Sequence, residues 1–245
     1  MEKRLVIEPF SALEHSFTNY EKEVEIKLLH QKASPFKNNS AADIEKRVSR
    51  AVKDFWFFDN VYFPANLYSD GYSKPGYFHQ KILEHWTTPG VQIILGPRKH
   101  GKTATAKKLL IWDILRGEIK FGATLSATLP TSRNILGDIK EFFYNARIAN
   151  DFRPEILEAN SDQITLRVPK FNNLCRIVVL SEGRSARGAT FQFLRPQKVL
   201  CDDLETRQSP LNEDSVISRI KILQETYQSM SSNGVLLVCA NNFDT

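Results

Sequence analysis

The sequence lacks long apolar stretches and has few cysteines, the features that are typical of membrane proteins and of domains held together by zinc or disulfides. No apolar stretch reaches about 18 residues, and the start of the chain has too short an apolar run for a signal peptide. The three cysteines, Cys175, Cys201 and Cys239, lie in apolar runs, and none forms a C-x-x-C pair. These absences argue against a membrane span and against a zinc or disulfide framework, and they predict reduced cysteines in the core.

The composition is that of an ordinary folded protein. With 42% hydrophobic and 25% charged residues, the 245-residue chain is neither disordered nor fibrous, and one large α/β domain is expected. Lys and Arg number 33 against 28 Asp and Glu, which gives a net charge of +5. This excess suits a polyanionic partner without requiring one.

The two parts of the chain differ in pattern, and neither contains an internal repeat. Residues 1–50 are rich in charged residues and turn formers, which predicts an N-terminal helical extension, while residues 51–245 are predicted to form the main domain. The aromatic run at residues 55–63 predicts a helix end buried in the core. Aromatic side chains are found mostly in cores, so this interpretation is preferred to an exposed surface that stacks on bases.

After residue 90, short apolar runs alternate with segments of helical period. This alternation predicts a mostly parallel sheet with helices on both faces. Strands are expected at residues 91–95, 122–128, 164–168, 176–180, 198–202 and 235–240. Helices are expected at residues 42–53, 102–116, 131–150 and 214–231.

Residues 96–103 match the pattern G-x-x-x-x-G-K-[ST] in full, between a predicted strand and a predicted helix. The glycines let the backbone turn so that several N–H groups face phosphate oxygens, helped by the positive end of the helix that follows. In this pattern the lysine neutralises the β- and γ-phosphates and the threonine hydroxyl ligates Mg²⁺. The predicted nucleotide-binding residues of the loop are Gly96, Pro97, Arg98, Lys99, His100, Gly101, Lys102, Thr103 and Ala104.

Three consecutive basic residues, Arg98, Lys99 and His100, make this loop unusual. Arg98 is predicted to reach the γ-phosphate from within the same chain and to stabilise the charge that develops during transfer; the alternative is that the basic residues only solvate the loop tip. Lys107 and Lys108, one turn further along the helix, are expected to face solvent.

An acidic strand end follows at residues 199–205. Carboxylates at the end of a parallel strand can hold Mg²⁺ and orient the attacking water. Asp202, the first carboxylate after the apolar run, is the predicted metal residue. Asp203 and Glu205 would lie on the same face of a continuing strand, so both are candidates for the catalytic base.

Two further segments are candidates for the site. The basic, glycine-punctuated loop at residues 182–190 contains Arg187, which could act on a neighbouring subunit's γ-phosphate or contact a nucleic-acid backbone. The last strand ends at Asn241 and Asn242, without the lysine of the guanine-reading N-K-x-D pattern, so GTP is discounted. Either asparagine could sense the loss of the γ-phosphate.

Taken in order, these motifs resemble the ATPase domain of the large terminase subunit of tailed bacteriophages, a motor that packages DNA into capsids. The resemblance runs from about residue 50 to the end and depends on order and spacing. It is carried by residues 55–58, 62–64, 78–80, 96–103, 185–188, 195–205 and 235–241.

The resemblance implies a P-loop fold of the RecA/ASCE-like class and a role for each matching residue. Arg98 would be the arginine inside the loop, Arg187 a finger acting on the adjacent subunit, and Gln80 part of the segment that contacts adenine. Asn241 or Asn242 would belong to the motif that couples hydrolysis to movement. The implied catalytic residues are Lys102, Asp203, Glu205, Arg98 and Arg187, with Thr103 and Asp202 on the metal and with ATP and Mg²⁺ as cofactors.

The same resemblance implies an ATPase motor that translocates double-stranded DNA into a procapsid. Its partners would be double-stranded DNA, a small terminase subunit and a portal protein. It would assemble as a homo-oligomeric ring, with a monomer in isolation, and would act without a membrane, in the cytoplasm of an infected bacterium and transiently on the procapsid portal. Large terminases also carry a C-terminal nuclease, which we expect to be absent from this chain.

Three other functions share the phosphate loop. A helicase-like remodelling ATPase would need a second RecA-like domain, for which the chain is too short. A small-molecule kinase would need an arginine-rich lid and an acceptor pocket. A nucleotide-binding scaffold without turnover would result if neither Asp203 nor Glu205 can orient water.

Overall fold

The computed structural model describes residues 36–63, 75–98, 100–182, 188–202, 204 and 213–241. The helices in these residues are α1 (Ala41–Ala51), α2 (Phe55–Tyr62), α3 (Tyr77–Thr87), α4 (Lys102–Leu115), α5 (Leu129–Phe143), α6 (Ala146–Asp151) and α7 (Glu213–Gln228). The strands are β1 (Gly90–Gly96), β2 (Phe121–Ser126), β3 (Glu155–Ala159), β4 (Gln163–Val168), β5 (Asn173–Ser181), β6 (Lys198–Asp202) and β7 (Val235–Asn241).

The strands form one seven-stranded sheet in the order β1-β7-β6-β2-β5-β4-β3. β1, β7, β6, β2 and β5 are parallel to one another, whereas β4 and β3 continue the sheet in antiparallel pairs. The predicted fold class, a mostly parallel sheet flanked by helices, is therefore confirmed. The phosphate loop follows β1, and the predicted acidic strand end belongs to β6. These two strands are not neighbours in the sheet, because β7 lies between them.

The two faces of the sheet are covered unequally. Helices α1 to α6 contribute to one large core on the first face, in which side chains such as Phe58, Trp86 and Leu109 are completely buried. The second face has a smaller core, where Ile222, Leu223 and Tyr227 of α7 pack against buried strand residues. All three cysteines are buried and unbridged, as the sequence predicts.

The second face is open at β1. Val91, Ile93 and Leu95 point away from the buried Ile94 and are 41%, 54% and 64% exposed. Three aliphatic residues of α7 are also exposed, namely Val216, Ile217 and Ile220. A cavity of about 210 Å³ lies between this part of α7 and the ends of β1 and β7.

The aromatic run lies in α2 and belongs to the core. Asp54 caps the helix by accepting a hydrogen bond from the Phe57 backbone N–H at 3.0 Å. Phe55, Phe58 and Tyr62 are almost completely buried. The predicted buried helix end is confirmed, because these rings are not available to stack on bases.

Three details of the predicted secondary structure are wrong or missing. The helix predicted at residues 131–150 is two helices, since the buried Asn145 caps α6 through the Arg147 N–H and also donates to the Tyr62 carbonyl oxygen. Helix α3 and strand β3 were not predicted. α3 buries only Ile82 and Trp86, and β3 is a mostly exposed edge strand, so both have weak apolar patterns.

None of the helices in the described ranges is both long and apolar enough to cross a membrane.

Candidate phosphate-binding site

The loop at residues 96–103 joins the end of β1 to the start of α4. Gly101 has φ of 71°, a left-handed conformation that costs other residues about 1–2 kcal/mol. Gly96 leaves room for a neighbour, because a Cβ at this position would lie 2.9 Å from the Phe78 Cζ atom. Gly101 is therefore required by its backbone conformation, and Gly96 is required by its close packing against Phe78.

Lys102 points back into the loop. Its Nζ atom donates to the carbonyl oxygens of Gly96 and Pro97, both at 2.7 Å, and to Oδ1 of Asn241 at 3.2 Å. The residue is 6% exposed. Within the described residues no carboxylate forms an ion pair with this ammonium, so its charge is held by neutral oxygens in a largely desolvated place. Such a charge favours an anionic ligand.

The neighbouring strand ends carry the other polar groups of the site. The parallel register pairs Gly96 with Asn241, and Asp202 with Cys239, so the carboxyl ends of β1, β7 and β6 meet at one edge. β6 is two strand spacings from β1, or about 10 Å. Asp202 is half-buried at the end of β6.

The Cys239 thiol is influenced by both charged groups, Lys102 and Asp202. Burial raises its pKa to about 12, the Asp202 carboxylate adds to the increase, and the Lys102 ammonium opposes it. Lys102 follows β1 and Asp202 ends β6, and these strands lie on the two sides of β7. This arrangement places a cation and a carboxylate on either side of Asn241.

The predicted residues lie in different places relative to this centre. Arg98 and His100 are exposed at the loop tip, Thr103 is half-buried, Ala104 is exposed in the first turn of α4, and Gln80 is exposed on α3. Lys99, Asp203, Glu205, Arg187 and Asn242 lie outside the described residues. The structure therefore brings together the loop, Asn241 and Asp202.

The available donors fit magnesium. Thr103 and Asp202 offer a hydroxyl and a carboxylate oxygen, the hard ligands that Mg²⁺ takes while keeping several waters. Within the described residues no group of three or more His, Cys, Asp or Glu could hold a metal ion. An Mg²⁺ ion at this edge would thus depend on phosphate oxygens and water for the rest of its coordination.

Sequence reasoning missed two contacts of the loop and misjudged a third residue. Phe78 and His79 of α3 lie against Gly96 and Gly101, but α3 lacks a helical pattern strong enough to reveal them. Lys108, expected to face solvent, is 7% exposed and forms an ion pair with buried Asp59 at 2.6 Å. The prediction was wrong because α2 packs over this turn of α4.

Similar solved structures come from phage DNA-packaging proteins. No protein-family model matches the sequence, and none of the curated proteins compared with it is similar. The large terminase of bacteriophage HK97 has a TM-score of 0.47 and 15% identity, over 70% of this chain and 34% of that one. A Thermus phage large terminase ATPase domain has a TM-score of 0.45 and 16% identity, over 70% of this chain and 67% of that one.

A third similar structure is the large terminase of a thermophilic bacteriophage in complex with ADP. Its TM-score is 0.44 at 12% identity, over 67% of this chain and 38% of that one. The chain thus spans about a third of the length of the HK97 large terminase. All three of these structures are of phage large terminases.

Proposed function

We propose that the chain is an Mg²⁺-dependent ATP-hydrolysing motor domain of a viral DNA-packaging terminase, and that it moves double-stranded DNA into a procapsid. One observation carries the proposal. The buried Lys102 ammonium is held by neutral oxygens at the end of β1, and one strand, β7, lies between β1 and the half-buried Asp202 carboxylate at the end of β6. A triphosphate with its metal ion would supply the negative charge between them.

The loop residues would bind the nucleotide. Lys102 would leave its carbonyl partners and neutralise the β- and γ-phosphates, while the N–H groups at the start of α4 would face phosphate oxygens. Thr103 and Asp202 would hold Mg²⁺, which supplies charge neutralisation at the phosphates when it is bound. Gln80 would contact adenine, an assignment supported by the position of its helix against the loop.

Hydrolysis needs a base and further positive charge. Either Asp203 or Glu205 would orient the attacking water, since both follow β6 in the chain. Arg98 from the loop tip and Arg187 from a neighbouring subunit would stabilise the charge that develops on the transferred phosphoryl group. Asn241, which already accepts a hydrogen bond from Lys102, would sense the loss of the γ-phosphate.

The remaining assignments form part of the same proposal. Residues 51–245 would be the ATPase domain and residues 1–50 an N-terminal extension, although α1 already packs in the main core through Val48 and Ala51. Partners would be DNA, a small terminase subunit and a portal protein, with the motor assembled as a ring. The motor would act in the cytoplasm of the infected host.

Steady-state hydrolysis tests the proposal. The chain is expected to release phosphate from ATP with Mg²⁺, and double-stranded DNA should raise the rate. EDTA should abolish the activity, and Lys102→Met should remove it. Phosphorylation of a metabolite would indicate a kinase, and stimulation by single-stranded DNA alone would indicate a helicase-like ATPase. Binding of ATP without turnover would indicate a scaffold, and any one of these three results would contradict a packaging motor.

A further inference from the structure

The phosphate loop is connected to α3 through a histidine. The His79 side chain lies in the first turn of α3, where its Nδ1 atom accepts a hydrogen bond from the Gly76 backbone N–H at 3.2 Å. A ring nitrogen that accepts is unprotonated, so in the neutral ring the proton is on Nε2. His79 is therefore prepared to donate from the opposite side of its ring.

The opposite side of the ring faces the loop. The ring lies near the backbone of His100, and this polar backbone raises the pKa of His79. A Cβ at Gly101 would lie 3.4 Å from His79 Nε2, which shows how closely the ring approaches the left-handed turn before Lys102. The His100 ring is occupied within the loop, with its Nδ1 atom 3.1 Å from the Arg98 carbonyl oxygen.

We infer that His79 is a positioning residue that holds the phosphate loop in its binding conformation by linking the start of α3 to the residue pair His100 and Gly101. The neighbouring Phe78 ring packs beneath Gly96 at the other end of the loop. Two consecutive residues of one helix thus contact both glycines of the motif. The inference rests on the proposed function, since it gives the loop's conformation a purpose.

The surroundings of the ring disfavour its protonated form. Burial is the largest cause that lowers the pKa of His79 below its ordinary value of 6.5. The polar backbone of His100 raises the pKa. Among the charged groups, Asp59 of α2 also raises it, while Lys108 of α4 and the His100 side chain lower it. Protonation in acid would convert Nδ1 into a donor that faces the Gly76 N–H, so the contact with Gly76 would be lost, whereas Nε2 would still carry its proton towards the loop.

Two polar substitutions separate the link from the packing. An Asn side chain ends near the position of Nδ1, so His79→Asn keeps an acceptor for Gly76 but does not reach His100. A Gln side chain reaches further, so His79→Gln keeps a donor near the position of Nε2. His85→Asn is the matched control, because His85 lies on the same helix and is also half-buried. Its Nδ1 atom hydrogen-bonds to Gln92 Oε1 at 2.6 Å, and this contact does not involve the loop.

Hydrogen exchange of the loop in the chain without nucleotide is the decisive measurement. We expect His79→Asn to speed exchange in peptides covering residues 96–104 by roughly fivefold, the loss of about one hydrogen bond. His79→Gln and His85→Asn should stay within about twofold of wild type on the same reasoning.

Nucleotide binding is the second measurement. The Kd for ATPγS with Mg²⁺ should rise by roughly fivefold in His79→Asn and stay near wild type in the other two variants. The inference is overturned if loop exchange is the same in His79→Asn and wild type, or if His85→Asn alters it equally. Failure of the wild-type chain to bind nucleotide would instead overturn the proposed function, and the exchange result would still decide the role of His79.

Discussion

The two ends of the parallel strands treat buried charge in different ways. At the amino end, the buried Asp113 carboxylate accepts from Trp86 Nε1 at 2.7 Å and from two nitrogens of Arg116 at 2.8 and 3.0 Å. Lys198 closes this cluster by donating to the Trp86 carbonyl oxygen at 2.5 Å. At the carboxyl end, Lys102 is bonded to three neutral oxygens.

The difference between the two ends indicates that the amino-end cluster serves the stability of the protein and that Lys102 serves its function. In the amino-end cluster each charge faces an opposite charge or a fixed dipole, so removing a member leaves a buried group without its partner. At the carboxyl end, the Lys102 ammonium pays a desolvation cost without a carboxylate that offsets it within the described residues. We therefore expect substitutions at the amino end to lower stability and substitutions at the carboxyl end to lower activity.

The largest effect should come from Lys102. In Lys102→Met, ATP turnover is expected to fall by about 100-fold or more, since an interaction with the developing charge is lost. The unfolding free energy should change by less than about 1 kcal/mol or rise, because a buried ammonium is removed. Phosphate release and urea unfolding measure the two effects. A large loss of stability would show that the ammonium has a structural role and would remove the distinction between the two ends.

Asp113 should give the converse result. Asp113→Leu is expected to lower the unfolding free energy by about 3 kcal/mol, because Trp86 Nε1 and Arg116 lose their buried acceptor. Asp113→Asn should cost less, since one acceptor oxygen remains. Urea unfolding gives the change in stability, and the ATP dissociation constant at a temperature where the variant is folded should match wild type. A weaker ATP affinity in the folded variant would contradict the separation.

Asn241 tests whether a neutral partner of Lys102 at the carboxyl end of the strands also contributes to activity. Asn241→Ala removes the only described side chain that accepts from Lys102, and turnover should fall by roughly tenfold at saturating ATP, in proportion to about one charge-assisted hydrogen bond. The KM for ATP should change by less, since Lys102 itself remains to bind the phosphates. Steady-state kinetics separates the two constants. An unchanged kcat would exclude Asn241 from the hydrolysis step.

Lys140 sharpens the comparison, because it is a second buried lysine with a neutral partner but lies away from the loop. Its Nζ atom donates to the Asn160 carbonyl oxygen, and burial lowers its pKa from 10.5 to about 8, with Asp162 opposing the change. Between these two values the unfolded chain binds a proton that the folded chain does not, so the unfolding free energy should rise with pH.

The expected rise is on the order of 1–3 kcal/mol from pH 8 to 10.5, and Lys140→Met should abolish it. Urea unfolding at several pH values provides the measurement, with ATP affinity at pH 7.5 as the control. If Lys140→Met weakens ATP binding, then position at the phosphate loop is not what distinguishes Lys102 from other buried lysines.

The sequence was most informative where the apolar pattern and the chemistry agree. The loop at residues 96–103 was recognisable because glycines, lysine and threonine at fixed spacing have few other uses after a strand. The central strands were recognisable because they are buried on both faces and therefore almost continuously apolar. β6, for example, was predicted with its observed bounds.

Elements that depend on tertiary contacts were not recognisable. α3 has a mixed pattern because one side packs on the core while Phe78 and His79 serve the loop. The break between α5 and α6 is set by Asn145, whose partners Tyr62 and Arg147 come from different elements. The burial of Lys108 likewise requires Asp59, which is distant in the sequence. Local periodicity carries no information on such partners.

The open side of β1 has a practical consequence for handling the protein. Within the described sheet β1 has no strand on its outer side, and it presents Val91, Ile93 and Leu95 to water. An apolar edge of this kind promotes concentration-dependent self-association and binding of hydrophobic dyes. Ile93→Lys should reduce light scattering in concentrated samples and leave ATP affinity unchanged, which would make the variant a better starting material for crystallisation and titration.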